Sequence, residues 1–292
     1  MGQCREVSPM VLQLKNALKA EGTGSIFSLS QLRRLVALSS NNLSLCSGQQ
    51  QDAVEFLTFL INSLPVEFFK IFEFTEHILR KFVINGEHVP CPRCNTLPSS
   101  SLDTRIVLEL PVSHIVGEAP LTDLIKQHFS PEIAEEGKRC DGPPCCPHGT
   151  RTCPGTDSKC KSLPYSQQRH INQYPNYLFI QLKRFCQTMS GQFVKSNTPI
   201  MASETLNLYK THYQLIGIIN HLGTFEAGHY FSIVKHLNDW IIYDDYHQPR
   251  VIPLEKLFSS ENYMFLFKKL DHQPQSKERI SSVPQSTENL GK

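Results

Sequence analysis

The sequence predicts an α+β fold with helices first and strands after, and two observations carry that prediction. Apolar residues recur at helical spacing through the first seventy positions. From Glu73 onward they fall into short alternating or continuous runs bounded by turn residues. Helices gathered at one end and strands at the other distinguish this class from an alternating α/β chain.

Val11, Leu12, Leu14 and Leu18 mark a first helix, and Ser28 or Ser30 can cap a second that carries Leu32, Leu35, Val36 and Leu38. A third runs through QQQDAVEFLTFLINSLP, with Ala53, Phe56, Leu57, Leu60 and Leu64 on one face and Pro65 as its stop. HILRKFVI then leads into Asn85-Gly86, a hairpin turn pair because both residues tolerate positive φ, and TRIVLELPV follows. PLTDLIKQHF reads as a short amphipathic helix over 120–129. Residues 131–170 are poor in large apolar groups and rich in Cys, Pro, Gly and Lys, so they cannot build a core of their own. NYLFIQLKRF, YQLIGIIN, HYFSIVKH, DWIIYDD and NYMFLFKKL read as strands. Residues 271–292 have almost no large apolar side chains and are expected to be a disordered tail.

Composition narrows the function classes. The chain has 292 residues, 40% of them hydrophobic, enough for a real core. Lys plus Arg is 29 and Asp plus Glu is 27, a net charge of +2 that leaves no electrostatic footprint for nucleic acid or an anionic membrane. No apolar run approaches the roughly 18–20 residues of a membrane helix, and MGQCREV lacks the apolar core of a signal peptide. Glu6 stands where a myristoylation motif wants Ser or Thr. The expected compartment is cytoplasmic or nuclear.

Ten cysteines are the unusual feature, and seven of them lie between Cys91 and Cys160. In a reducing compartment such thiols serve more often as metal ligands than as disulfides. Cys91-Pro-Arg-Cys94 is a CxxC knuckle, two thiolates spaced to grip one face of a tetrahedral ion. Cys140 with Cys145 or Cys146 completes four ligands, while His148, Cys153 and Cys160 are spare donors. The expectation is one structural zinc held by Cys91, Cys94, Cys140 and Cys145, with the second pair open among these alternatives.

The stretch 217–245 carries the catalytic candidates. His229 follows Gly228 at the start of a β run, and Asp244 lies fifteen residues on, after a second run opened by Trp240. Two adjacent antiparallel strands bring that pair side by side, the arrangement in which a carboxylate fixes a His tautomer and stabilises its imidazolium.

GHYFSIVKHLNDWIIYDD resembles the His box of the ubiquitin-specific protease family. QQQDAVEFLTFLI resembles that family's QQD segment, and YPNYLFIQLKRF its LKRF strand. The CxxC followed by LDTRIVLELPVS, then a second Cys group, is similar to its zinc-bearing fingers. The motifs occur in the family's order over roughly residues 8–270. The resemblance implies a papain-like hand, with a partial helical thumb over 1–70, mainly fingers over 71–175 and mainly palm over 176–270. It implies thiol-dependent hydrolysis after the C-terminal glycine of ubiquitin, with ubiquitin or a ubiquitinated protein as partner. On that resemblance His229 is the general base, Asp244 orients it, and Asp245 is an auxiliary acid near the oxyanion.

One motif is missing. The family's nucleophile sits in a Gly-Asn-Thr-Cys-Tyr segment, and no such segment occurs here; the thumb reads as truncated at its N-terminus. Cys4 lies 45 residues before Gln49, too close to stand in the nucleophile's place. Cys46 abuts the QQD helix, and Cys186 follows a palm strand as a buried-looking thiol. The expectation is a deubiquitinase domain that is inactive as given, either a partial copy of an enzyme or a ubiquitin-binding pseudoenzyme. The alternative is a zinc-stabilised interaction module.

Overall fold

A computed structural model describes residues 9–21, 30–47, 50–90, 100–112, 115, 117–138, 163–245 and 247–270. The proposed zinc ligands Cys91, Cys94, Cys140 and Cys145, the spare donors 146–160, Cys4 and the tail 271–292 lie outside those residues.

Four helices form the N-terminal part: α1 (Pro9–Glu21), α2 (Ser30–Ser39), α3 (Ala53–Asn62) and α4 (Val66–Phe72). Met10, Leu32, Val36, Ala37 and Leu45 are buried together, with Phe56, Phe59, Leu60 and Leu64 packed against them. The opposite side of α3 buries Val54 and Ile61 against Ile106, Val107, Phe179, Tyr263 and Met264 of the strands behind. So α3 is apolar on two sides because it is sandwiched between the other helices and the sheet. The single face expected from the sequence is half of that arrangement. Pro65 does not stop α3, which already ends at Asn62. It opens α4, where a missing N–H costs nothing.

The fingers are a sheet of β1 (Phe74–Ile84), β2 (Glu87–Val89), β3 (Ser101–Arg105), β6 (Glu132–Lys138) and β7 (Leu163–Gln173), ordered β2-β1-β7-β6 with β3 also on β1. The Asn85-Gly86 hairpin forms as expected, with φ of 53° and 84°. Strands β6 and β7 fall in the region expected to need outside help. β7 is ordered by pairing with β1, whose Phe82 is fully buried opposite Tyr165, and β6 pairs in turn with β7.

TRIVLELPV is not one strand. It bends at Ile106 and splits into β3 in the fingers and β4 (Val107–Pro111) in the palm. The palm's large sheet runs β16-β15-β14-β13-β17-β8-β4, with β12 also on β13. Its other strands are β8 (Tyr177–Lys183), β12 (Thr205–Leu208), β13 (Thr211–Gly223), β14 (Gly228–His236), β15 (Asp239–Tyr243), β16 (Arg250–Ile252) and β17 (Asn262–Lys269). Central β8 and β17 read as continuous apolar runs because both of their faces are covered. Helix α5 (Leu121–Phe129) covers one face with Leu121, Leu124 and Ile125. Within 71–175, therefore, β4 and α5 are palm elements.

Two small pairings complete the fold: β5 (Ala119–Pro120) with β11 (Ile200–Met201), and the hairpin of β9 (Phe185–Gln187) with β10 (Phe193–Lys195). Fully buried Arg184 anchors that hairpin by donating from Nε to Asn262 O and from Nη1 to Ser196 O and Thr198 O. Among the described residues no helix is long and apolar enough to cross a membrane.

Candidate active site

The site grows from the β13–β14 hairpin. Gly223 closes it with φ +96°, and a Cβ there would stand 2.4 Å from Ala227 O, so only glycine fits. β14 then starts at Gly228 with Leu222 opposite His229, and β15 pairs with β14 through Ser232↔Tyr243. That register puts Phe231 opposite the position of Asp244, so His229 reaches Asp244 along the ladder's diagonal. The His229 Nε2 to Asp244 Oδ1 distance is 2.5 Å. Asp245 takes left-handed backbone, φ 46°, which Asp tolerates, and its carboxylate comes within 3.8 Å of His229 Nδ1.

The electrostatics follow from this geometry. The hydrogen bond that His229 makes to the Asp244 carboxylate, assisted by the charges of Asp244 and Asp245, raises the His229 pKa above its ordinary 6.5 and outweighs the opposing effect of burial. The same bond lowers Asp244, helped by the charges of His229, His247 and Arg250. With Nε2 engaged by the carboxylate, Nδ1 is the ring nitrogen left to take a proton from a reacting group. The sequence-predicted trio His229, Asp244 and Asp245 is thus brought together, with one donor atom of each within 4.8 Å of the others. These three are also the one set of potential metal donors among the described residues; the Asp244 oxygen nearest the ring is already spent on His229.

The helical layer is tied to this hairpin by the QQD segment. Asp52 caps α3, accepting from the amides of Val54 and Glu55 at 2.8 and 2.9 Å through Oδ1. Its other oxygen accepts from the hydroxyl of Tyr263 on β17, and that hydroxyl also receives Gln181 Nε2 at 2.8 Å. Gln50 Oε1 accepts from the Gly228 amide at 2.6 Å, and Gln50 Nε2 lies 3.3 Å from Nε2 of buried His221. The sequence marks QQD as a motif but assigns no roles to Gln50, Asp52 or His221. For Asp52 a local signal existed, since Asp followed three residues later by Glu55 is a capping pattern. For Gln50 and His221, 171 residues apart, there was none.

Among the described residues Cys46 and Cys186 are the free thiols, and neither has a hydrogen bond to His229. Cys46 is exposed at the end of a 3-10 turn. Cys186 is half-exposed rather than buried, because the β9–β10 hairpin stands out from the palm; its thiol donates to Val194 O at 3.7 Å.

Comparison with known proteins bears on the family and the fold. Two relatives from Arabidopsis thaliana, ubiquitin carboxyl-terminal hydrolases 16 and 4, are each 26% identical, over 74% and 71% of this chain. The chain spans only 21% and 63% of their respective lengths. The Drosophila melanogaster hydrolase nonstop is 31% identical over 38% of the chain and 25% of its own length. Among solved structures, the SAGA deubiquitinating module of Ubp8, Sgf11, Sus1 and Sgf73 bound to ubiquitin aldehyde matches with a TM-score of 0.61 at 18% identity, covering 91% of this chain and 65% of that one. The same module bound to monoubiquitin matches at 0.60 with 21% identity, over 82% and 53%. At these identities the likeness speaks to the fold, which is that of the hand. The model of the family described as ubiquitin carboxyl-terminal hydrolase matches residues 4–267, and with that span the chain belongs to this family.

Proposed function

We propose that this chain grips ubiquitin and supplies the general base of a thiol-dependent deubiquitinase. The observation that carries the reading is the His229–Asp244 pair, with Nε2 held at 2.5 Å and Nδ1 left for chemistry. In the proposed role Nδ1 takes the proton of a thiol as that thiol attacks the carbonyl of ubiquitin's terminal glycine. It then gives the proton to the leaving amine as the C–N bond breaks and a thioester forms, which water then hydrolyses. Asp244 holds the tautomer and stabilises the imidazolium. Asp245 is an auxiliary acid beside the developing oxyanion.

The 292 residues by themselves bind ubiquitin without cleaving it. Supporting this, the sequence has no Gly-Asn-Thr-Cys-Tyr segment, and neither described thiol has a hydrogen bond to His229. A His–Asp pair without a thiolate leaves only residual binding and oxyanion effects.

One structural zinc belongs to the same proposal, held by Cys91, Cys94, Cys140 and Cys145. Four thiolates suit a tetrahedral ion with no open position, so its work is to fold the fingers. The strands that flank both Cys-bearing stretches belong to one sheet. The first joins β2 to β3 and the second joins β6 to β7, which supports a shared site. Such a thiol-rich protein suits the reducing cytoplasm or nucleus.

The test is calorimetric titration of the chain with ubiquitin. The expected result is a dissociation constant of about 1 μM to 100 μM, or roughly 8 to 5.5 kcal/mol. Absence of heat at about 1 mM ubiquitin would instead favour a zinc-stabilised module with another partner.

A further inference from the structure

Gln50 and His221 meet beside the active site but take no part in the His229–Asp244 pair. Their bond directions fix a protonation state. The Gly228 amide can only donate, so the Gln50 atom 2.6 Å away is the carbonyl oxygen Oε1. That orientation turns the Gln50 NH2 group toward His221 Nε2 at 3.3 Å. An amide NH2 also only donates, so His221 Nε2 has to accept and the ring proton sits on Nδ1.

The surroundings agree. His221 is 2% exposed, and its ring is enclosed by Tyr230, Phe185 and Tyr263 at centroid distances of 4.6, 5.5 and 6.0 Å. Its Nδ1 is buried with no hydrogen-bond partner among the described residues, so the tautomer is set from the Nε2 side alone. The charged groups facing it are Lys195, Glu261 and Asp52. Burial and the Lys195 ammonium push the His221 pKa down, while Glu261 and Asp52 push the other way. The fit leaves no slack at Gly228, where a Cβ would stand 2.3 Å from His221 Nε2 and from Leu222 O.

We propose that Gln50 and neutral His221 are positioning residues for His229. The amide senses the protonation of His221 and, through the Gly228 N–H, fixes the start of the strand that carries His229. When His221 gains a proton on Nε2, the Gln50 amide has to rotate so that Oε1 meets it. The NH2 group then faces the Gly228 N–H, donor against donor, and the strand start loses its anchor. The consequence for general-base chemistry rests on the function proposed above; the linkage among Gln50, His221 and Gly228 does not.

The test needs no ubiquitin, so it separates from that proposal. The whole chain is labelled with 15N-histidine and 15N backbone, and long-range 1H–15N correlation reads the ring nitrogens. In the unmodified chain at neutral pH, His221 is expected to carry its proton on Nδ1. Gln50→Glu keeps the shape but offers two acceptors, so it moves that proton to Nε2 and shifts the His221 titration upward. Gln50→Ala makes the Gly228 amide exchange with solvent roughly three- to tenfold faster, the loss of one hydrogen bond, and moves the His229 titration. A proton on Nε2 of His221 in the unmodified chain overturns the proposal. So does unchanged Gly228 exchange in a folded Gln50→Ala. The first reading needs no variant, so poor folding of a variant does not spare the proposal.

Discussion

His229 and Asp244 meet across a diagonal of the β14–β15 ladder, and the contact places a carboxylate 2.5 Å from Nε2. The pair is held by strand register and by the left-handed turn at Asp245, with little help from burial, since both side chains keep contact with solvent.

The pair therefore shows itself in titration. His229 is raised above 6.5, so its stabilisation is full below that pH and lost as pH climbs through the folded value. Asp244 is lowered below 3.8, so its contribution is full above that pH and lost as pH falls through its folded value. Both are at full strength between these limits. Nuclear magnetic resonance is expected to give a His229 midpoint above 6.5 that drops in Asp244→Asn. An unchanged midpoint would mean that the carboxylate does not hold the ring.

Asp52 joins two layers, so Asp52→Ala removes more than a cap. It deprives two helix amides and the Tyr263 hydroxyl of their acceptor. The expected loss is about 2–4 kcal/mol, roughly 1 from the cap and the rest from the orphaned hydroxyl. Asp52→Asn keeps an acceptor at the cap and is expected to lose less. Urea unfolding measures both.

Much of the fold was legible because local pattern and tertiary role agree. The palm strands carry continuous apolar runs, and α5 carries one clean stripe. What was not legible depends on partners distant in sequence. β7 has little apolar content of its own and exists as a strand because β1 offers it a ladder. Ile106 is an apolar residue in an apolar run, and only the divergence of two sheets reveals the bend there. His229 and Asp244 were legible because fifteen residues of hairpin join them. Gln50 and His221 were not, because their roles exist only once a helix entry meets a strand end.

Glu76 offers a separate probe, at the root of the fingers. It is 1% exposed, with His128 Nε2 of α5 at 2.8 Å and Arg105 Nε at 3.6 Å. Burial pushes its carboxyl up, but the hydrogen bond and charge of His128, with Arg105 and Arg169, outweigh that and hold it below 4.5. Its stabilisation is present above 4.5 and lost as pH falls through the folded value. His128→Ala is expected to cost about 2–4 kcal/mol at neutral pH and to move the acid loss to higher pH. Urea unfolding at neutral and at mildly acidic pH reads both.

Chelation tests the proposed zinc. If four thiolates hold a structural ion, removing it should lower the melting temperature and expose the finger sheet to proteolysis, and returning zinc should reverse both. Cys91→Ser should mimic chelation, while Cys186→Ser, outside the proposed site, should leave the melt unchanged.

The most direct test of the central claim is the intact mass of the chain after incubation with ubiquitin that carries a C-terminal electrophile. If, as proposed, no cysteine of these 292 residues serves as the thiol partner of His229, the mass is expected to stay that of the unmodified chain. A stoichiometric adduct that disappears in Cys4→Ala and in His229→Ala would contradict the account.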